Sequence, residues 1–200
     1  MIDKLPTIKK LMRHLHQVPF LASKNLYRVT SYFLQLDDQR LAQFCAALQE
    51  AKHKIVLCDS CFVWQEKDAG CIFCADASRD RSVICVVESW HELLVIERTE
   101  AFRGMYHVLG GVISPLDGVS AKDLTIEQLI VRAMESGVHE IIFALNQTPE
   151  GEATSAFIAR KLQQSGIKIT CLAKGVPIGS NLEFVDRLTV GKALADRRSF

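Results

Sequence analysis

The sequence predicts an α/β protein made of a basic helical arm, a small four-cysteine knuckle, a parallel-rich sheet with flanking helices, and a C-terminal extension. Three observations carry this prediction. Residues 1–54 place apolar side chains at helical spacing. Cys58-Asp-Ser-Cys61 and Cys71-Ile-Phe-Cys74 then set two Cys-x-x-Cys pairs with nine residues between them. Beyond the cysteines, β-rich runs alternate with helical ones, the pattern of parallel strands covered by helices. With 200 residues, 48% of them hydrophobic, the chain has enough material for a folded core in one large domain or two small ones.

In the arm, Leu5, Ile8, Leu11, Met12 and Leu15 share a helical period, with Lys9, Lys10 and Arg13 on other faces. Pro19 ends this run, because proline disfavours helix in the residue before it. Ser23 is placed to cap a second helix whose apolar positions are Leu26, Val29, Phe33 and Leu36, and Asp37-Asp38 opens a third through Leu41, Phe44, Cys45 and Leu48. After the knuckle, Ser82–Glu88 reads as a strand buried on both faces. Ser89 with Glu92 forms a capping-box pattern opening a helix, and Met105–Leu109 is a strand ended by Gly110-Gly111. Thr125 with Gln128 repeats the capping pattern for a helix that closes at Gly137. His139–Leu145 is a strand, Glu152–Ser165 a helix ending at Gly166, and Ile167–Ala173 a last strand. The divisions expected are 1–54, 55–78 for the knuckle, 79–173 for the sheet domain and 174–200 for the extension.

Four thiolates on two adjacent turns can converge on one tetrahedral Zn²⁺, and the doubled spacing is the pattern of such a site. The competing readings are ordinary core cysteines or two disulfides in a secreted chain. No unbroken apolar run follows Lys4, Lys9, Lys10 and Arg13, so no signal peptide is read there, and no stretch reaches the length of a membrane span. The expected compartment is therefore cytoplasmic and reducing, which favours thiolate ligands, with one structural zinc held by Cys58, Cys61, Cys71 and Cys74. Cys45, Cys85 and Cys171 lie in apolar runs and are read as core residues. The net charge of +1 hides an asymmetry: residues 1–54 hold nine Lys/Arg against four Asp/Glu, the rest fifteen against nineteen. A basic half points to nucleic acid, an acidic half to proteins or cations.

Two strand ends carry residues that could do chemistry. Glu88 ends one strand, and Asn146-Gln-Thr-Pro-Glu-Gly-Glu152 follows another. Carboxylates at adjacent strand ends would cage Mg²⁺ for phosphoryl transfer, with Asp117, Glu150 and Glu152 in reserve. Asn146 and Thr148 are neutral, however, and cannot neutralise the ion, so a structural or partner-binding role is favoured. Gly175-Val-Pro-Ile-Gly-Ser180 lacks the lysine of a phosphate-binding loop, and the six histidines show no metal spacing.

Val86-Val-Glu-Ser89, Ser114-Pro-Leu-Asp-Gly118, Asn146-x-Thr-x-Glu-Gly-Glu-Ala-Thr154 and Gly175-Val-Pro-Ile-Gly179, in order around the four cysteines, resemble the RecR family of recombination mediators over essentially the whole chain. The resemblance implies N-terminal helix-hairpin-helix elements, a zinc site, a Toprim domain and an oligomerising C-terminal segment. Toprim enzymes carry Asp-x-Asp where Asn146 and Thr148 stand, so the implied protein is not an enzyme. What the resemblance implies instead is a sequence-independent DNA clamp, a homo-oligomer built as a ring tetramer or a dimer. It would work with RecO and RecF at the bacterial nucleoid to load the strand-exchange recombinase onto single-stranded gaps. Lys24 and Arg28 would contact phosphates, with Lys9, Lys10 and Arg13 as further DNA-facing cations. Glu88, Asn146, Thr148, Glu150 and Glu152 would form a partner-binding edge, with Glu150 and Glu152 meeting RecO. The rival functions are a Mg²⁺-dependent Toprim nuclease or topoisomerase-like enzyme and a zinc-ribbon scaffold that binds only proteins.

One stretch departs from the family. Its hairpin reads Leu-Pro-Gly-x-Gly-x-Lys, whereas this chain has Val18-Pro-Phe-Leu-Ala-Ser-Lys24. Phe20 and Ala22 replace both glycines, and side chains at both places work against positive φ and close amide approach to phosphate, so the hairpin is expected to survive in altered form with a weaker amide contribution to DNA binding.

Overall fold

A computed structural model describes residues 5–135 and 137–197, so Lys4 lies outside the described residues. The chain divides into two compact units, Met1–Ile55 and Val56–Phe200. Among the described residues no helix is long and apolar enough to cross a membrane.

Among the described residues the first unit has three helices: α1 (Pro6–His16), α2 (Ser23–Gln35) and α3 (Asp38–Lys54). Pro6 sits in the first turn of α1, where its missing N–H costs nothing, and α1 packs on α2. Leu26 and Thr30 are buried, the Thr30 hydroxyl donating to the Leu26 carbonyl at 2.8 Å. Asp37 caps α3 by accepting from the Arg40 N–H at 2.8 Å. The expected Ser23 cap is shifted by one residue: Ala22, extended at φ −58° and ψ 140°, is the N-cap and offers no side-chain acceptor. α3 buries none of its side chains, and Leu41, Phe44 and Leu48 face solvent. Cys45 is exposed on this helix, against its expected core placement, because an apolar period alone does not supply something to pack on.

Between α1 and α2 the chain turns through residues 17–22, with Val18 N–H bonded to Leu15 O and Leu21 N–H to Val18 O. Phe20 adopts φ +64° in this turn and is fully exposed. The positive φ that glycine would favour is thus kept, under a side chain that disfavours it. Ala22 needs no such conformation.

The second unit opens with β1 (Ile55–Leu57), at whose first residue the units divide, paired with β2 (Trp64–Glu66). Its main sheet has four parallel strands in the order β4-β3-β5-β6: β3 (Asp80–Val87), β4 (Gly104–Val108), β5 (Glu140–Phe143) and β6 (Lys168–Cys171). α4 (Trp90–Glu97) links β3 to β4, α5 (Ile126–Glu135) precedes β5, and α6 (Pro149–Lys161) links β5 to β6. The Ser89–Glu92 capping box is present as expected. α6 begins at Pro149, three residues before the expected start, because Thr148 caps it. In the C-terminal extension, α7 (Arg187–Ala195) is an element that periodicity did not resolve; Asp186 caps it through the Thr189 N–H at 3.0 Å. Cys171, expected in the core, is exposed on the outer strand of the sheet.

β3 alternates between two cores, as the period of a strand requires. Ile84 and Val86 join Leu109, Ile126, Leu129, Ile141, Phe143, Ile158 and Leu162 on the α5/α6 side. Cys85 and Val87 face the opposite side, with Leu93 of α4, Tyr106, Val108 and the knuckle residues Val63 and Phe73. Cys85 is therefore a core residue, as expected. Arg79, 7% exposed, closes this second core: it pairs with Glu97, donates to Gly104 O at 3.1 Å, and lies over the Phe73 ring at 4.8 Å. Tyr106 donates its hydroxyl to Glu97 at 2.8 Å, so the carboxylate paired with the buried Arg79 has a second donor.

The left-handed conformation of Phe20 costs about 1 kcal/mol relative to a residue that tolerates it. F20G should therefore stabilise the arm by up to about that amount, and F20A should not, since alanine keeps the Cβ. Urea denaturation followed by circular dichroism compares them.

Candidate metal centre, strand-end site and nucleic-acid interface

Each Cys-x-x-Cys pair sits on a tight turn. Phe62 N–H bonds to Cys58 O at 2.9 Å with Phe62 at φ +61°, and Ala75 N–H bonds to Cys71 O at 2.9 Å. These turns bring all four Sγ atoms within 4.8 Å of one another, with Cys61 and Cys71 at 3.4 Å and Cys58 and Cys74 at 3.9 Å. A tetrahedron with metal–sulfur bonds of about 2.3 Å has edges of about 3.8 Å, so the donor set fits one ion. None of the cysteines is in a disulfide. Its hydrogen bond to Cys74 and burial push the Cys61 thiol up, and burial raises Cys71, while the contact with Cys61 draws Cys74 down to about 5. A cation in the midst of thiols favours their ionised form.

The centre is bolted to the sheet. Val108 N–H of β4 bonds to Cys61 O at 2.9 Å, and Arg132 of α5 donates to both Ser60 O at 3.2 Å and Tyr106 O at 2.7 Å. Phe62 meets the His107 ring edge-on at 5.2 Å. Burial, with the Arg132 charge adding to it, lowers His107 to about 3, so this imidazole is neutral and bonds through Nε2 to Thr125. Sequence reasoning missed Arg132, Arg79 and His107, whose partners are remote in the chain.

At the other end of β3 the strand order reverses: β4 lies on one side of β3 and β5 on the other. Sites in parallel sheets form at such a point. Glu88 and Asn146 meet here, and both carboxylate oxygens are taken. The Asn146 backbone N–H donates to Glu88 Oε1 at 2.5 Å and its side-chain amide to Oε2 at 2.9 Å. Two neutral N–H donors thus stand where a cation would neutralise the glutamate. Thr148 is likewise committed, its hydroxyl accepting from Gly151 N–H at 3.1 Å. Asp117 accepts from the Ser114 hydroxyl at 2.6 Å within its own turn. Glu88, Asp117 and Glu152 do not assemble into a ligand cluster; among the described residues the four cysteines alone do so.

The remaining residues of the 146–154 string also have structural occupations. A Cβ at position 151 would collide with the Asn146 carbonyl, so glycine lets this loop fold against α6. Glu150 is half-buried in the first turn of α6. Thr154, buried, donates to Glu150 O at 2.7 Å and accepts from Ile113 N–H at 2.9 Å. Glu152 Oε1 receives Lys174 at 2.7 Å and Lys192 of α7 at 2.9 Å, tying the C-terminal segment to α6. These two ammonium groups lower its carboxyl to about 2.

On the arm, Lys9, Lys10, Arg13, Lys24 and Arg28 are all exposed. Lys24 and Arg28, four apart, share one face of α2, and Lys9 and Arg13 share one face of α1. Lys24 lies in the first turn of α2, whose N-terminus has no side-chain cap, so its charge adds to the positive helix end.

Comparison with known proteins agrees with this architecture. Residues 82–173 match the model of the Toprim domain, and residues 175–198 match that of the RecR C-terminal segment. The chain is 44% identical over 192 residues to the recombination protein RecR of Bifidobacterium adolescentis, covering 96% of each. It is 38% identical to that of Porphyromonas gingivalis, over all of this chain and 97% of the relative, and 40% identical to that of Rubrobacter xylanophilus, over 96% of each.

N146D would set two carboxylates together and remove a charge-assisted hydrogen bond. Without divalent cations it should cost about 1–2 kcal/mol, and Mg²⁺ should recover part of that loss, as read by thermal melting with and without the ion. Glu152 has its carboxyl lowered, so its pairing is complete above the ordinary value near 4.5 and is lost as the pH falls toward 2. A carbon-13 titration of its side chain should give a midpoint near 2 that moves upward when Lys174 and Lys192 are replaced by methionine.

Proposed function

The chain belongs to the RecR family of recombination proteins, and from that premise we propose that it is a non-catalytic DNA clamp and adaptor in recombinational repair. In this reading it acts at the bacterial nucleoid with RecO and RecF to load the strand-exchange recombinase at single-stranded gaps. The observation that carries the reading is the Glu88–Asn146 pairing: the strand-end site keeps its glutamate but satisfies it with amide hydrogens. Residues 55–78 serve as the knuckle, with one structural Zn²⁺ per chain on Cys58, Cys61, Cys71 and Cys74. A closed set of four thiolates suits zinc and leaves no open position for water, so the ion would hold the knuckle against the sheet. Lys24 and Arg28, with Lys9, Lys10 and Arg13, contact phosphates, which position the protein on any sequence.

The clamp closes as a ring of copies, with the helical arm 1–54 and the extension 174–200 as the contact segments and 79–173 as the sheet domain. Support comes from apolar side chains left in solvent on both segments: Leu41, Phe44 and Leu48 on α3, and Leu182, Phe184 and Leu188 near and on α7. Glu88, Asn146, Thr148, Glu150 and Glu152 form the edge offered to protein partners.

DNA affinity should fall steeply with salt, and K24A and R28A should each weaken binding to every sequence alike while lowering the slope by about 1. A flat salt profile would return the protein to a scaffold that binds only proteins. Mg²⁺-dependent strand cleavage lost in E88Q would overturn the non-catalytic reading. Metal analysis of freshly purified protein should find about one zinc per chain, and C58A should lose it together with much of the stability of the second unit.

A further inference from the structure

We propose that Phe20 stacks on nucleobases, which makes the hairpin between α1 and α2 a binding site for single-stranded DNA. The inference rests on the DNA-binding reading above and specifies what the hairpin recognises. Phe20 is fully exposed at the turn, flanked by exposed Val18, Pro19 and Ala22. It holds φ +64°, a conformation that glycine would adopt without penalty and a phenylalanine resists. An aromatic ring is therefore projected into water, on a strained backbone, where neither burial nor turn geometry calls for it.

The charge around it selects the partner. From position 4 to position 36 the sequence has six lysines and arginines and not one aspartate or glutamate. Lys24 and Arg28 line the helix that leaves the turn, and Arg13 and His16 lie in the last turns of the helix that enters it. A second copy of this hairpin would bring like charge against like, so it does not suit the surface. A polyanion does, and of polyanions a single strand offers both groups the hairpin can use: phosphates for the cations and unpaired base faces for the ring. In a duplex the bases are already stacked, and the ring could reach them only by unstacking a step at a cost of a few kcal/mol. Replacing glycine by phenylalanine thus exchanges close amide–phosphate approach for base stacking.

The test uses the full-length, metal-loaded chain and its F20A and F20W variants, with labelled oligothymidylate, an abasic oligomer of the same length, and a duplex. Since the side chain is wholly exposed, neither variant removes a packing contact. The wild type should bind oligothymidylate at least about fivefold more tightly than the abasic strand, the lower end of what one base–aromatic stack contributes. F20A should close that gap while leaving abasic and duplex affinities and the salt slope in place, and F20W should keep it. Stacking is overturned if F20A leaves the gap intact, or weakens all three ligands equally; salt-dependent binding would persist in both cases and the clamp reading would stand. Phosphatidylserine vesicles bound by the wild type and not by F20A, with oligonucleotide binding unchanged, would assign the ring to a lipid surface and overturn the proposal. Absence of binding to every oligonucleotide would overturn the DNA reading itself and the stacking with it.

Discussion

β3 runs between two neighbours and must bury side chains on both of its faces, and the second unit is organised by that requirement. Ile84 and Val86 are covered by α5 and α6 in the ordinary way of a parallel sheet. Cys85 and Val87 have only α4 on their side, an eight-residue helix, and the knuckle completes the cover with Val63, Phe73 and the cysteines themselves. The cysteines therefore pack against the sheet as well as forming a donor set that could hold a metal ion. Arg132 and the Val108–Cys61 hydrogen bond join that donor set to the sheet's second face.

The same sheet explains why the strand-end site survives without an acidic pair. The reversal of strand order brings Glu88 and Asn146 together whatever the site is used for. A buried or half-buried carboxylate needs donors, and a metal ion is one way to supply them. Asn146 supplies them with its backbone and side-chain N–H groups. Thr148, Gly151 and Thr154 then hold the loop and the start of α6, so the string from 146 to 154 is accounted for by local bonding. Glu152 extends this to the C-terminal segment through Lys174 and Lys192, which ties the fate of α7 to the first turn of α6.

The arm follows different physics. With Leu26 and Thr30 as its buried residues and α3 burying none, it has a thin core and much apolar surface in water. A thin core of that kind leaves surface for a partner to cover, and the excess of nine Lys/Arg over four Asp/Glu in residues 1–54 favours an anionic one. Phe20 sharpens the point: the left-handed turn is kept without the glycine that would make it cheap.

Much of this was legible in the sequence. The cysteine spacing, the capping pairs at Asp37 and Ser89, and the alternation of strands and helices each rest on contacts between residues near in the chain, so local pattern determined them. The neutrality of Asn146 and Thr148 argued against a charged metal cage before any geometry was known. Tertiary structure alone decided what depended on distant partners. Periodicity could not show that Cys45 and Cys171 face solvent, because it marks an apolar face without saying what covers it. Nor could it show that Thr148 rather than Glu152 starts α6, or that Arg79 and Arg132 lock the knuckle to strands remote from them in sequence. Asn146 is the clearest case. Its side chain fixed the missing charge, but only the parallel pairing of β3 and β5 placed its amide against Glu88 and turned an absence into a bond.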